Sequence, residues 1–235
     1  MITTPDLKDF LGELRPGKVL DISTGKGQFV SFLKLFLGGF GELTGIDPDE
    51  TALKEAALAH GSGHIRFIRM KAQELLFADG SFDMVTVSRG LHHLANLPWC
   101  LHEMSRVLVP GGLLLINEMY ADVETEAQKN AVMLHHLRAS MDQQLKLDHF
   151  QTYSRKELLS LPAEAGFLLE RQLDFQPAEK KTTDQLLHDF EFHLEKLKQH
   201  DSYDETEKKF KALKDRITRY GTDTPRHLLL LWKKG

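Results

Sequence analysis

Two aspartates and two glycines are the residues best placed to do chemistry. Asp21 stands near the end of the apolar run KVLDI (18–22), and the turn that follows carries Gly25 and Gly27. Glycine in a strand-to-helix turn lets the backbone reverse sharply. It also lets a ligand approach the main chain where a Cβ would otherwise stand. Asp47 follows the next apolar run, ELTGI (42–46), and lies 22 positions after Gly25. A carboxylate at that place suits a bidentate hydrogen bond to the two hydroxyls of an adenosine ribose. Turn and strand-end acid together describe a nucleotide site.

Two kinds of nucleotide compete for it. A dinucleotide fingerprint needs glycine or alanine three residues beyond its second glycine, for close helix–strand packing and pyrophosphate access. This chain has Val30 there. A carboxylate at the position of Asp21 would repel a pyrophosphate but pair with a cation, such as the amino group of S-adenosylmethionine (SAM). The electrostatics favour SAM over NAD, with a nicotinamide-dependent oxidoreductase as the rejected rival.

These residues need a sheet to carry them. The runs KVLDI (18–22), ELTGI (42–46), IRFIR (65–69), DMVTV (83–87) and GLLLIN (112–117) are apolar at nearly every position, as parallel strands covered on both faces must be. Helical segments at 28–37, 49–60 and 96–107 lie between them. The repetition predicts an α/β fold: a doubly wound, mostly parallel seven-stranded sheet with helices on both faces.

After Asn117 the rhythm changes. Residues 122–148 contain no Pro or Gly and predict one long helix or a broken pair; a helix ending near Ala165-Gly166 and a strand at 167–175 follow. Arg226–Lys233 reads as the last strand. The chain thus reads as a single domain, 1–235, with a helical lid at 118–150 after strand five and a helical hairpin at 180–220 between strands six and seven. In the hairpin, Leu186, Phe190, Leu194 and Leu197 line one helix, and Thr206, Phe210, Leu213, Ile217 and Tyr220 line the next. That near-heptad stripe predicts a cover on the sheet edge or a homodimer contact through 180–220.

With 41% hydrophobic and 27% charged residues, the composition is that of a folded soluble protein. A net charge of −4 without a long basic run argues against a nucleic-acid or membrane partner. The single cysteine, Cys100, excludes an intramolecular disulfide and a cysteine metal cluster. No apolar stretch approaches the roughly 20 residues that span a bilayer. The first residues carry acids where a signal peptide would be basic, so a cytoplasmic location is expected.

The block from Val19 to Asn117 resembles the class I SAM-dependent methyltransferases, particularly the small-molecule branch related to ubiquinone- and menaquinone-biosynthesis enzymes. VLDISTGKGQF resembles the first motif, GIDPDE the ribose-binding acid, FADGSFDMVTVSRGLHHL the fourth-strand motif, and LHEMSRVLVPGGLLLINE the helix, turn and fifth strand. The resemblance implies SAM as cofactor. It puts Asp21, Ser23, Gly25 and Gly27 around the methionine moiety and Asp47 on the ribose. Pro48, Ala72 and Gln73 would lie at the adenine, and Ser88 and Arg89 near the carboxylate or sulfonium end. His93, the second histidine of the LHH pattern, is the candidate base.

Three positions depart from the family pattern. Ser23 replaces a glycine, so a modest backbone change is expected. Lys71 stands where an aspartate usually receives the adenine amino group. Lysine has no acceptor, which leaves apolar contacts, backbone or Gln73 for the adenine. Arg89 stands where a smaller or neutral residue is usual, and is expected to meet either a substrate anion or the methionine carboxylate.

The implied reaction is direct in-line transfer of the SAM methyl group to a small-molecule acceptor, the protein contributing orientation and desolvation. His92, Glu118, Tyr120 and His136 are the candidate substrate residues. A non-catalytic SAM- or nucleotide-binding module acting as an interaction protein is the alternative. His135 and His136, with Glu118, Asp122 and His149, suggest a metal. Neighbours on a helix diverge by about 100°, however, so no metal site is expected there.

Overall fold

The computed structural model describes residues 4–177 and 182–235. Residues 1–3, and residues 180–181 at the start of the expected hairpin, lie outside the described residues. Strands β1 (Lys18–Ile22), β2 (Glu42–Asp47), β3 (Ile65–Arg69), β4 (Phe82–Ser88), β5 (Leu108–Met119), β6 (Phe167–Phe175) and β7 (His227–Lys234) form one sheet in the order β3-β2-β1-β4-β5-β7-β6. β1 pairs in parallel with β2 and β4, and β2–β3 and β4–β5 are parallel as well. Lys234 Nζ donates to Leu108 O at 2.8 Å and Gly235 N to Gly166 O at 3.4 Å. The end of β7 therefore lies beside the starts of β5 and β6, and β7 runs against both.

The strand order reverses between β1 and β4. In an open α/β sheet that switch point leaves a crevice at the carboxyl ends of the two strands, where ligands bind. Asp21 on β1 and Ser88 on β4 sit at those ends.

The chain divides into two compact units, residues 1–118, 157–175 and 228–235, and residues 119–156 and 176–227. The first unit holds the sheet with α1 (Thr4–Leu11), α2 (Gln28–Phe36), α3 (Glu50–His60), α4 (Leu97–Val107) and most of α6 (Arg155–Glu164). Val19, Leu20, Asp21 and Ile22 are all buried. Successive side chains on a strand point to opposite faces, so β1 is covered on both. Its core includes Leu33 of α2, Leu43, Met84, Leu115 and Leu229. α3 starts where DPDE predicts: Asp49 accepts from Thr51 N at 2.8 Å and Ala52 N at 3.2 Å as N-cap.

Gly27 enters α2 with φ +83°, and a Cβ there would stand 2.6 Å from His60 Cδ2. Gly27→Ala is expected to cost about 1–3 kcal/mol, from left-handed backbone strain and the displaced imidazole. It would be read as a lower urea midpoint. An unchanged midpoint would mean that the His60 ring swings aside and the turn relaxes.

The second unit is helical: α5 (Glu126–Gln144), α7 (Thr183–Leu194) and α8 (Tyr203–Tyr220). Capping boxes of Thr125 with Gln128 and Thr182 with Gln185 start α5 and α7. Leu134 and Met141 of α5 pack with Phe190, Leu194, Leu197, Phe210, Leu213 and Ile217. The Phe190 and Phe210 rings stack 4.3 Å apart. Arg216 ties α8 to α5, donating Nε to Asn130 Oδ1 at 2.7 Å and pairing with Glu126. The apolar stripe of the hairpin is thus occupied by α5 within the same unit, which removes the spacing argument for a homodimer contact. Tyr220, placed on the stripe by its spacing, is exposed. Among the described residues no helix is long and apolar enough to cross a membrane.

Candidate functional site

The parallel register sets Asp21 opposite Thr86. Thr86 Oγ1 donates to Asp21 Oδ1 and Thr24 Oγ1 to Oδ2, each at 2.6 Å. The carboxylate is buried, and among the described residues its hydrogen-bond partners include no Lys, Arg or His. Burial pushes its pKa up to about 6, against the two hydroxyl bonds, and the nearby charge of Asp47 adds to the rise. A buried carboxylate served only by neutral donors is an expensive group whose natural complement is a cation.

Asp47 clamps the glycine turn. Its Oδ2 accepts from Gly25 N and its Oδ1 from Asp49 N, both at 2.9 Å. A carboxylate oxygen has two lone pairs, so each keeps acceptor capacity for a hydroxyl. Gly25 has φ +52°, and no atom lies within 4 Å of where its Cβ would stand. The main chain is therefore open to a ligand at this point. Gly45 is required for a different reason: a Cβ there would meet the Phe67 ring and Thr24 Oγ1.

Ser23 sits at φ +54°, so the serine adopts the left-handed backbone that a glycine would favour. Its Cβ faces Gly90, where an added Cβ would be 2.8 Å away. Arg89 is also left-handed, at φ +50°, and exposed; its N–H donates to Asn117 O at 2.7 Å. Asn117 Nδ2 donates to Ser88 Oγ at 2.9 Å. Asn117 thus joins β5 to the segment after β4.

On the β3 side, Lys71 is exposed, Ala72 is buried, and the exposed Pro48 accepts from Arg69 Nε at 3.2 Å through its carbonyl. Gln73 Nε2 donates to Ala95 O at 3.0 Å, and Trp99 Nε1 donates to Gln73 O at 2.8 Å. Arg106 of α4 holds the rest of this loop by donating to Leu75 O, Phe77 O and Asp79, while it pairs with Glu103. Arg106→Ala is expected to destabilise the chain by about 2–3 kcal/mol, because two carbonyls, Asp79 and Glu103 lose one planar donor. Arg106→Lys should recover less than half of that loss, since a point charge cannot replace the fork. Urea unfolding of both variants checks the ranking.

A single 3-10 turn, Leu91–His93, follows β4. Glu118 is fully buried; its Oε2 accepts from Leu91 N at 3.0 Å, and its Oε1 lies 3.2 Å from His92 Nδ1. His92 is buried and His93 exposed. Glu118 and His92 therefore brace the turn that presents His93. Tyr120 and His136 belong to the second unit. There Tyr120 Oη accepts from Arg226 Nε at 3.2 Å, and His136 Nε2 accepts from Thr152 N at 3.2 Å.

The carboxyl ends of β1, β2 and β4 thus gather Asp21, Ser23, Gly25, Asp47, Ser88 and Arg89. Thr24, Thr86 and Asn117 were missed by the sequence reading. Thr86 lay in plain view within DMVTV, but only the strand register shows that it faces Asp21.

Known proteins share part of this arrangement. Residues 20–116, from β1 into β5, match the methyltransferase domain family. This stretch is similar to a methyltransferase domain. The chain is 36% identical over 113 residues to the demethylmenaquinone methyltransferase of Staphylococcus aureus strain MRSA252, covering 48% of this chain and 46% of that protein. The chain therefore spans about half the length of the curated relatives it matches. Likeness of fold extends further. A SAM-dependent methyltransferase from Mesorhizobium loti superposes with a TM-score of 0.60 at 17% identity, over 98% of this chain and 96% of that one. The [4+2]-cyclase SpnF gives 0.65 at 19% identity, over 98% and 80%.

Proposed function

We propose that the chain is a SAM-dependent methyltransferase that passes a methyl group to a small-molecule acceptor by in-line displacement. The observation that carries this reading is Asp21, a buried carboxylate beside an open glycine turn whose hydrogen-bond partners are neutral hydroxyls. The chemistry present fits the cofactor: an acid for its amino cation, an acid for its ribose, and bare backbone between them. SAM, when bound, supplies a methyl group already activated on sulfur.

The residues of the chain bind and orient. Asp21 holds the amino cation, and Asp47 accepts from the ribose hydroxyls while it keeps the Gly25 turn closed. Gln73 has its Nε2 committed to Ala95 O, so its Oε1 serves as acceptor for the adenine amino group in place of the aspartate that Lys71 displaces. Pro48 and Ala72 flank the adenine, and Ser88 and Arg89 receive the methionine carboxylate. His93 takes a proton from the acceptor at an imidazole nitrogen where the nucleophile must lose one. A small-molecule acceptor is supported by the demethylmenaquinone methyltransferase relative and by a net charge of −4, which disfavours a nucleic-acid substrate.

The fold is shared with a cyclase, which favours a second reading as a SAM-binding module without methyl transfer. Calorimetry with SAM and S-adenosylhomocysteine, followed by labelled-methyl assays on phenols, quinols, amines and thiols, separates the two. Micromolar binding with turnover of at least one acceptor class is expected. No binding of either ligand at about 1 mM would sink both readings. Binding without turnover across the panel would favour the module.

A further inference from the structure

We propose that the second unit carries a site for a divalent first-row transition ion, zinc above all, held by His135 and His149. His135 lies on α5 and His149 in the segment after it, and their Nε2 atoms face each other 3.3 Å apart. Their rings meet at 66° with centroids 4.8 Å apart. Two nitrogens bound to tetrahedral zinc at about 2.0–2.1 Å are separated by roughly 3.3–3.4 Å, so the pair already spans one edge of the coordination polyhedron. An ion there would replace the proton now shared between the two nitrogens.

The far side of His149 is built as the outer shell of a metal ligand. His149 Nδ1 lies 2.8 Å from Asp142 Oδ2, which places the proton on Nδ1 and leaves the Nε2 lone pair directed at His135. A carboxylate in that position fixes the tautomer and raises the basicity of the ligating nitrogen. Arg138 Nε lies 2.9 Å from both oxygens of Asp142 and fixes it in turn. Gln143 Nε2 donates to His149 O at 2.7 Å, which holds the main chain that bears the ring. His149 and Asp142 are both buried, so this is a packed arrangement and not a surface pair.

Access comes from the other member. His135 lines a cavity of about 280 Å³ shared with Arg138, Phe190 and His193. The cavity brings solvent to one of the two ligands. Imidazole ligands suit zinc, nickel and copper, and two of them with two open positions give an exchangeable ion and not a permanent one. The helical argument that His135 and His136 diverge stands, since His136 turns to Thr152. The partner that α5 cannot supply comes from 14 residues further along the chain.

The test uses the tag-free full chain, stripped with chelator and titrated with zinc chloride in a calorimeter. One equivalent should bind with a Kd on the order of 1–10 µM, and cobalt(II) should give the intense visible bands of a tetrahedral site. His135→Ala and His149→Ala should each weaken binding at least about tenfold, and Asp142→Asn about 10–100-fold. His188→Ala, at an exposed histidine of α7, should leave it unchanged. Should a variant unfold, imidazole nitrogen spectra of the wild-type chain give the answer: zinc must move the Nε2 signals of His135 and His149. No binding tighter than about 100 µM, binding indifferent to both histidines, or unmoved Nε2 signals would each overturn the site.

Discussion

Asp21→Asn is expected to make the chain more stable and, in the same protein, to remove most of its affinity for SAM. The native pKa of Asp21 is pushed up to about 6 from 3.8, mainly by burial. A group raised in the folded state contributes stability that is fully present below its unfolded pKa and is lost as pH rises through its folded pKa. For Asp21 that window runs from 3.8 to about 6, and at pH 7.5 the ionised group costs about 3 kcal/mol. An asparagine keeps the shape and satisfies both threonines, its oxygen accepting from one hydroxyl while its amide donates to the other. A gain of about 1–3 kcal/mol at pH 7.5 follows, worth several degrees in Tm, and it should shrink as pH falls toward 5.

The same change deletes the charge proposed to pair with the amino cation, so the Kd for SAM should rise roughly 30–100-fold. In the wild-type chain SAM binding should weaken as pH drops through about 6, because protonation of Asp21 removes the anion. Thermal melts and calorimetry at pH 7.5 and 5.5 check all three statements. A variant that melts earlier and binds SAM as before would show that Asp21 only stitches β1 to β4.

Asp47→Ala is expected to raise the Kd for SAM about 100-fold or more while lowering stability by only about 1–2 kcal/mol. Two backbone N–H groups lose their acceptor, those of Gly25 and Asp49, but the carboxylate is half-buried and water can replace it in the empty chain. In the proposed binding mode, bound SAM would lose both a direct ribose acceptor and a turn held in place. Asp47→Asn should fall between, since an amide offers one oxygen to two N–H groups. There is a further consequence at Asp21, whose pKa is raised in part by the charge of Asp47. With that charge gone, the pH midpoint for SAM binding should move below its wild-type value. An unchanged Kd would reduce Asp47 to a clamp on the loop.

Much of the first unit was legible because its signals are local. KVLDI, IRFIR and the 167–175 run have the same bounds in the structure as in the sequence, each closed by turn residues or charges. β5 is longer, Leu108–Met119 instead of 112–117, because Pro110, Gly111 and Gly112 interrupt the pattern where the β4–β5 register shifts. The long helix after it is shorter than the Pro- and Gly-free stretch, since Thr125 caps it at a point that periodicity does not mark. Asp21, Gly25 and Asp47 were visible for the same local reason: a strand end, a turn and the next strand end fall at fixed places along the chain.

Side-chain period, turn chemistry and the charge of Asp21 are properties of short segments, and from them the α/β class, the nucleotide turn and the preference for SAM could be read without a structure. Partners are another matter. That Thr86 reaches Asp21, that Glu118 braces the His93 turn, that α5 covers the stripe of the hairpin, and that His149 arrives at His135 all depend on which distant surfaces meet. An apolar stripe states that something must cover it but not what. A buried acid states that it needs donors but not from which strand. Register and packing are settled by the folded chain as a whole, and so only the tertiary structure could decide them.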